Sequence, residues 1–504
     1  MSTFQEVWRR AVHEHGDRTF LIFRAESGVR SEWTYAEFDT VAARTAGALY
    51  AAGVAPGSSV HVVLRNCPAF VALWLAASRL GAWLVPADPE SAARDVANQV
   101  RRVAPAVGVC AAARSDAYRE GASGQVATVL PLAEDASDVA AGGPLDGPVV
   151  DPARVDPLDR LAVMFTSGTT SAPKGVVLTQ ATYATVADVM ARAAALQARH
   201  RWHVTLPLFH ANAQYYCFAP AIAVGASVAL SAAFSASGWV RHARELGVTH
   251  ASLFAAPIRM ILARCPPDEE PLHLEHVWFA QSLGAEHHAR FAGMVGVAPR
   301  QLYGMTETVA IVCADASEPA RHDVIGRPVA GRRIRIEQAG TGGPPDTPGE
   351  LIVLGTPGVD LFTGYLDDEA TTAKVFRETD EGTWFATGDL VSEDVDGVLR
   401  FVGRVDDVIK VAGENVSLTE VEAAVAQAPG VLEAAVVAQP DPIRDVVPVA
   451  YVVARHPARP PTVAELDEWA VRNLTPAARP RAWTVIDELP RTSVGKVRRF
   501  RLAT

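Results

Sequence analysis

The run Leu161-Ala162-Val163-Met164-Phe165 leads into Thr166-Ser167-Gly168-Thr169-Thr170-Ser171-Ala172-Pro173-Lys174-Gly175 and out through Val176-Val177-Leu178. The flanking apolar runs read as buried strands. Between them stand five hydroxyl side chains, two glycines and one lysine. Glycine lets the backbone curl and approach a ligand closely. Successive N–H groups in such a curl form an anion-binding concavity; hydroxyls add donors and the lysine adds a point charge. The pattern suits a polyphosphate. It is not a Walker A loop, which needs Gly directly before Lys and Ser or Thr after it. Pro173 and Gly175 stand in those places. A polar surface loop is the plain alternative.

Strands alternate with helices on both sides of this loop. Upstream, Thr34-x-x-Glu37 has capping-box spacing and opens a helix that runs to Gly53. Strands at 60–64, 83–85 and 107–110 alternate with helices at 69–80 and 92–102. Residues 111–156, rich in Ala, Gly, Asp and Pro, read mostly as loop. Downstream, helices at 183–197, 238–246, 257–264 and 285–294 alternate with strands at 203–206, 227–230, 250–253, 277–279 and 300–302. The expected class is α/β, with two doubly wound αβ units. In such sheets ligands sit beyond the carboxyl ends of the strands. Past Gly326, segments 332–338 and 350–354 alternate apolar with polar residues and predict a small antiparallel β unit. After Asp406 the pattern becomes α+β, with capping spacing at Ser417-x-x-Glu420 and Thr462-x-x-Glu465. The expected division is a large part, residues 1–404, and a small mobile C-terminal domain, residues 405–504.

The 504 residues are 49% hydrophobic, ample for a packed core, and carry a net charge of −11. That charge opposes nucleic acid or an anionic membrane as the main partner. Cys67, Cys110, Cys217, Cys265 and Cys313 are scattered without metal-ligand spacing and read as reduced core thiols of a cytoplasmic protein. Met1 to Phe20 has no apolar signal core. Residues 211–240 contain no Asp, Glu, Lys or Arg, but Pro220 and Gly225 interrupt them. A buried helix followed by a buried strand is expected there, not a membrane span. His273-x-x-His276 and His287-His288 lack a further ligand and read as solvated histidines.

The loop resembles the phosphate loop of the adenylate-forming superfamily, which includes acyl-CoA synthetases, aryl-CoA ligases, luciferases and peptide-synthetase adenylation domains. Ser171 stands where that family usually has Gly, a feature of the branch related to crotonobetaine/carnitine–CoA ligase. Further segments agree in order and spacing from about Thr34 to Lys496. The resemblance implies that Thr166, Ser167, Gly168, Thr169, Thr170 and Lys174 hold the phosphates of ATP. In Leu206-Pro207-Leu208-Phe209-His210 it turns His210 toward the acid, although a lone His is often structural. Gly284-Ala285 aligns with the adenine-contacting turn, from which Leu283 and Glu286 depart. In Tyr303-Gly304-Met305-Thr306-Glu307, Tyr303 would stack on adenine beside Gly304. Thr306 would contact phosphate, and Glu307 with Thr306 would hold Mg²⁺, for which one carboxylate plus phosphate oxygens and water suffices. The alternative is a helix start capped by Thr306. Asp389, in Trp384-Phe385-Ala386-Thr387-Gly388-Asp389, would grip the vicinal ribose hydroxyls. Arg404 and Lys410 would join the nucleotide site, with Asp406 as hinge. Gly413-Glu414-Asn415-Val416-Ser417, close to the carnitine-ligase branch, would swing in for the second half-reaction. Lys496, in Pro490-Arg491-Thr492-Ser493-Val494-Gly495-Lys496, would bridge the attacking oxyanion and the α-phosphate.

The implied activity is ATP-dependent activation of a small acid as its adenylate, with release of pyrophosphate. Transfer to a nucleophile follows, with CoA as acceptor in a CoA ligase. The carnitine-ligase-like segments, with the Ala-rich, Lys-poor composition, also resemble natural-product enzymes of another activity: a diazotase that adenylates nitrous acid and diazotises an aryl amine. A third reading is a non-catalytic nucleotide-binding regulator. The presence of Lys174, Thr306, Glu307, Asp389 and Lys496 speaks against it. Trp202, His210, Asn212, Gln214, Tyr215, Tyr216 and Phe218 are candidates for the acid pocket. They suit a small or aryl acid, and their rings could form a cage for a trimethylammonium group.

Overall fold

Helix Tyr35–Ala51 starts where its capping box predicts. The Thr34 hydroxyl accepts from the Glu37 amide, and the Glu37 carboxylate accepts from the Thr34 amide. The computed structural model describes residues 1–166, 173–266, 268–338, 347–411, 414–441, 445–491 and 497–502. Ser167, Gly168, Thr169, Thr170 and Lys496 lie outside the described residues.

Among the described residues, two large sheets carry the body. The first runs, in spatial order, Thr128–Leu132, Val107–Ala111, Ser59–Val63, Trp83–Pro86, Arg160–Thr166 and Lys174–Thr179. All its pairings are parallel except the last, which sets Thr166 opposite Lys174 in an antiparallel pair. The second runs Arg300–Tyr303, His276–Ala280, His250–Phe254, Arg201–Val204, Ser227–Ser231 and Thr19–Arg24, all parallel. Arg30–Thr34 and Cys313–Ala314 extend it antiparallel at its two sides. This is the expected α/β architecture, with two corrections.

First, the units do not follow one another in sequence. Thr19–Arg24 opens the chain yet pairs with Ser227–Ser231 of the second sheet. Helix Phe4–His15 precedes it, with a complete capping box at Thr3 and Glu6. Phe20, Leu21, Ile22 and Phe23 are all buried, because both faces of a parallel strand are covered. Second, the expected loop at 111–156 contains helix Ser115–Ala122 and strand Thr128–Leu132. Neither shows a strong local period. The strand takes its order from pairing with Val107–Ala111, and Tyr118 of the helix lies beneath that strand. A Cβ on Gly108 would stand 2.3 Å from the Tyr118 hydroxyl, so glycine is what lets the helix dock.

Helix Pro68–Leu80 forms the centre of the core. Every residue except Arg79 is buried, as expected for a helix apolar all round. Trp74 stacks on Phe4 at 4.9 Å and meets Tyr183 and Phe218 edge-on or tilted. The charge-free stretch 211–240 winds as a π-helix at Asn212–Phe218, continues as helix Ala219–Val224, passes through strand Ser227–Ser231 and enters helix Trp239–Glu245. Among the described residues no helix is long and apolar enough to cross a membrane. All five cysteines are free thiols, and all but Cys265 are buried.

The small β unit pairs Arg333–Glu337 with Gly349–Gly355, and Gly349–Gly355 with Gly382–Glu393, antiparallel as the alternation predicts. Leu399–Arg404 completes it against Gly382–Glu393. Sheet membership then changes: Val408–Val411 belongs to a separate sheet with Glu414–Ser417, Val431–Asp441, Asp445–Ala454 and Trp483–Ile486. Helices Leu418–Val425 and Val463–Asn473 contribute to the core of this C-terminal domain. Its contacts with the body include an Arg455–Glu286 ion pair at 3.7 Å.

Candidate active site

The hairpin mouth at Thr166 and Lys174 supplies the first functional groups. Lys174 is half-buried, and its Nζ lies 5.0 Å from the ring centre of Tyr365. Tyr365 is buried, and its hydroxyl donates to Glu307 Oε1 at 3.2 Å. Glu307 belongs to the 3₁₀ turn Thr306–Thr308, two residues beyond the end of strand Arg300–Tyr303. The residue is only 5% exposed. The alternative reading of Thr306 as a helix cap does not hold: it is the Thr308 hydroxyl that accepts from the Met305 amide, at 3.0 Å. Thr306 remains half-buried beside Glu307.

A second phenol–carboxylate pair lies alongside. Tyr303 donates its hydroxyl to Asp389 Oδ2 at 2.6 Å. Arg404 Nε stands 3.5 Å from Asp389 Oδ1, and its guanidinium donates to the Thr387 carbonyl at 3.3 Å. The antiparallel register sets Asp389 opposite Arg404, so the sheet itself holds the two together. Burial pushes both phenols well above their ordinary pKa, and the neighbouring carboxylate pushes further in the same direction. Both therefore stay protonated and act as donors. Burial opposes the charge on Arg404, yet Asp389, Tyr303, Glu307 and Asp407 raise its pKa. Arg404 thus feels both carboxylates, and the two pairs form one cluster.

The turn after Glu307 is strained. Val309, a β-branched residue, has φ 66° and ψ −81°. Arg332, itself buried, holds it by donating to the carbonyls of Thr308, Ala310 and Ile311. Strain of this kind persists only where the surroundings over-determine it. Tyr365 and Arg332 were not among the sequence candidates. The signal for Tyr365 was the run Phe362-Thr363-Gly364-Tyr365, aromatic residues around a glycine.

Gly284 caps helix Ala285–Val295, and Gln427 of the C-terminal domain lies against it, with Cγ 3.6 Å from where a Cβ would stand. Ala285 is exposed on the first turn. Lys410 is exposed on its strand, and none of its described contacts joins it to the cluster. Of the acid-pocket candidates, only His210 is half-exposed, with its ring 5.6 Å from that of Phe254. Trp202, Gln214, Tyr215 and Phe218 are completely buried. Gln214 accepts from the Tyr183 hydroxyl at 2.7 Å and donates to the Leu208 carbonyl at 2.6 Å. These residues are core, so they leave no open aromatic cage. Tyr216 packs behind Gly304, where a Cβ would meet its hydroxyl at 2.9 Å. Of the histidines expected in solvent, His273 is exposed, His287 is half-buried, and two others differ in part. His276 is half-buried against Trp278, and buried His288 bonds the Pro299 carbonyl at 2.8 Å.

Among the described residues no group of three or more His, Cys, Asp or Glu is placed to hold a metal ion. A divalent cation at Glu307 would therefore take most of its ligands from phosphate oxygens and water, which is how Mg²⁺ is usually held. The all-oxygen donor set fits that ion.

The profile of the AMP-binding enzyme family matches residues 8–366, and that of the AMP-binding enzyme C-terminal domain matches residues 420–496. Crotonobetaine/carnitine–CoA ligase of Salmonella arizonae is 29% identical, covering 98% of this chain and 97% of its own. The fold is similar to that of the anthranilate CoA ligase AuaEII in complex with anthranoyl-AMP, with a TM-score of 0.87 and 22% identity over 99% and 96% of the two chains. It is also similar to o-succinylbenzoate CoA synthetase of Bacillus subtilis in complex with its acyl-adenylate intermediate. There the TM-score is 0.84, with 25% identity over 99% and 98% of the chains.

Proposed function

Since this chain belongs to the AMP-binding enzyme family, we propose that it is an AMP-forming ligase that activates a small acid and passes it to the thiol of CoA. The observation that carries this reading is the single cluster of Lys174, Tyr365, Glu307, Tyr303, Asp389 and Arg404. It offers cations for phosphate, a diol acceptor and an oxygen ligand for a hard cation. An acid oxygen attacks the α-phosphorus of ATP; the new P–O bond forms as the bond to pyrophosphate breaks. In the second step the thiol displaces AMP from the adenylate.

In this reading Lys174 and the loop at 166–174 bind the phosphates, and Thr306 adds a hydroxyl to them. Asp389 accepts from the ribose hydroxyls, held by Tyr303 and Arg404. Glu307 holds Mg²⁺, which when bound draws charge from the phosphate oxygens. Lys496, outside the described residues, supplies the cation that lets one anion approach another. One such preorganised donor contributes roughly 3–4 kcal/mol to the transition state. The hinge at Asp406 fits the change of sheet between Arg404 and Val408.

The buried Tyr216 and Tyr215 support a small acid without a quaternary ammonium group. The carnitine-ligase-like segments and the Ala-rich, Lys-poor composition support a second reading, diazotisation of an aryl amine through adenylated nitrite. Purified protein with MgATP and a panel of acids including nitrite, with and without CoA or an aryl amine, tests both. Acid-dependent pyrophosphate release with a CoA thioester supports the first, and with a diazonium product the second. AMP and pyrophosphate absent with every acid would leave only nucleotide binding.

A further inference from the structure

The segment between Tyr303 and Cys313 is a closed loop. Tyr303 pairs antiparallel with Cys313, and the Val312 amide donates to the Tyr303 carbonyl at 2.8 Å. Thr306 and Glu307 stand on this loop. Arg332 is anchored beside it: its amide donates to the Val329 carbonyl at 2.9 Å, and the Val329 amide to the Val312 carbonyl at 3.0 Å. Its guanidinium reaches into the loop. Nη2 donates to the carbonyls of Thr308 at 2.5 Å and Ala310 at 3.2 Å, and Nε to that of Ile311 at 3.2 Å. Nη1 donates to the Asp360 carbonyl at 2.8 Å. Two residues further on, the Phe362 amide donates to the Glu307 carbonyl at 2.9 Å. The backbone from Glu307 to Ile311 is thus tied to the 360–362 segment directly and through one guanidinium.

Two unfavourable features meet here. Arg332 is only 8% exposed; burial opposes its charge, and the Asp360 carboxylate that supports it stands 3.9 Å away. Burying a cation on such terms is costly. Val309, with φ 66° and ψ −81°, lies close to the γ-turn geometry that is rare and strained. Features of this kind cluster where function requires them.

We propose that Arg332 is a positioning residue that holds the strained Val309 turn and so sets the backbone of Thr306 and Glu307 for the divalent cation. The proposal rests on the reading that Glu307 is a ligand of that cation. The planar fork of arginine suits the task, because its N–H groups point at several carbonyls in fixed directions. An ammonium on a flexible stem cannot reproduce that. Without the guanidinium, the carbonyls of Thr308, Ala310 and Ile311 lose their shared donor, and Val309 relaxes out of positive φ. The relaxation displaces Glu307, two residues before it. Groups one step removed from a metal typically control 10- to 100-fold in its affinity.

The test compares wild type, Arg332→Lys, Arg332→Met, the double variant Arg332→Met with Val309→Gly, and Glu307→Gln. The probe is Mn²⁺, titrated by electron paramagnetic resonance into the protein with a non-hydrolysable ATP analogue. The melting temperature of each protein is measured alongside. Arg332→Met should weaken Mn²⁺ about tenfold or more. Arg332→Lys keeps the charge but not the fork, and should still weaken it about threefold or more. Glycine takes positive φ without strain, so the double variant should recover most of the affinity that Arg332→Met loses. Its melting temperature should fall further, because the buried Val309 side chain is gone. Affinity and melting temperature then move in opposite directions, which a merely structural role cannot produce. Wild-type Mn²⁺ affinity in Arg332→Lys or Arg332→Met, with loss in Glu307→Gln, overturns the role of Arg332 alone. So does a double variant whose affinity falls together with its melting temperature. If Glu307→Gln binds Mn²⁺ like wild type, the metal-holding reading falls and takes the proposal with it.

Discussion

Replacing Asp389 with Asn tests the nucleotide site at its best-defined point. Asp389 is 7% exposed, with Tyr303 on one oxygen at 2.6 Å and Arg404 near the other at 3.5 Å. Each carboxylate oxygen has two acceptor positions, and the proposed function gives each oxygen a ribose hydroxyl. The Asn amide keeps one acceptor and turns two donors toward the other hydroxyl. One charge-assisted hydrogen bond is lost, about 1.5–3 kcal/mol, or roughly 10- to 150-fold in ATP affinity. The fold should tolerate the change. Arg404 keeps the Thr387 carbonyl and the attraction of Glu307 and Asp407, and Tyr303 can donate to the amide oxygen. Calorimetric titration of ATP and 2′-deoxy-ATP into both proteins completes a cycle. Wild type should lose affinity for the deoxynucleotide, and the variant should lose much less. Equal losses in the two proteins would show that Asp389 does not touch the 2′-hydroxyl and would refute the assignment.

Gly304→Ala places a methyl 2.9 Å from the Tyr216 hydroxyl and 3.1 Å from Ile311 Cα. It should destabilise the protein by about 1–3 kcal/mol in urea unfolding, with partial rescue by Tyr216→Phe; an unchanged midpoint contradicts that packing. Acid should unfold the protein through its histidines. Burial depresses His61 and His250 to about 4, and His203 and His276 to about 3, from an ordinary 6.5. Between these values the unfolded chain binds more protons, so stability is full above pH 6.5 and falls as pH drops toward 4. By pH 4.5 the loss is on the order of 2 kcal/mol for each group. Urea midpoints equal at pH 7 and 4.5 would contradict it.

What was legible in the sequence was local. Thr34 and Glu37, or Thr462 and Glu465, lie three residues apart, so their capping boxes can be read directly. Strand Arg300–Tyr303 and the turn that follows occupy one short string, and so do Asp389 and its preceding Gly388. What was not legible depends on distant pairing. Thr19–Arg24 has no reason to order until Ser227–Ser231 lies beside it. Tyr365 and Glu307 are 58 positions apart, and Tyr303 and Asp389 are 86 apart. Their contacts exist only because strands from different units converge. Composition misled twice. Alanine-rich residues 111–156 hid a helix that needs Gly108 to dock, and His288 was assigned to solvent although it is buried and bonds the Pro299 carbonyl.

Acid-dependent exchange of labelled pyrophosphate into ATP measures the adenylation step directly. The intact protein should exchange only with Mg²⁺ and its acid present. Lys496→Ala should lower that rate about 10²–10³-fold while ATP still binds with wild-type affinity. Exchange at the wild-type rate in Lys496→Ala, or none in the intact protein with any acid including nitrite, would contradict it.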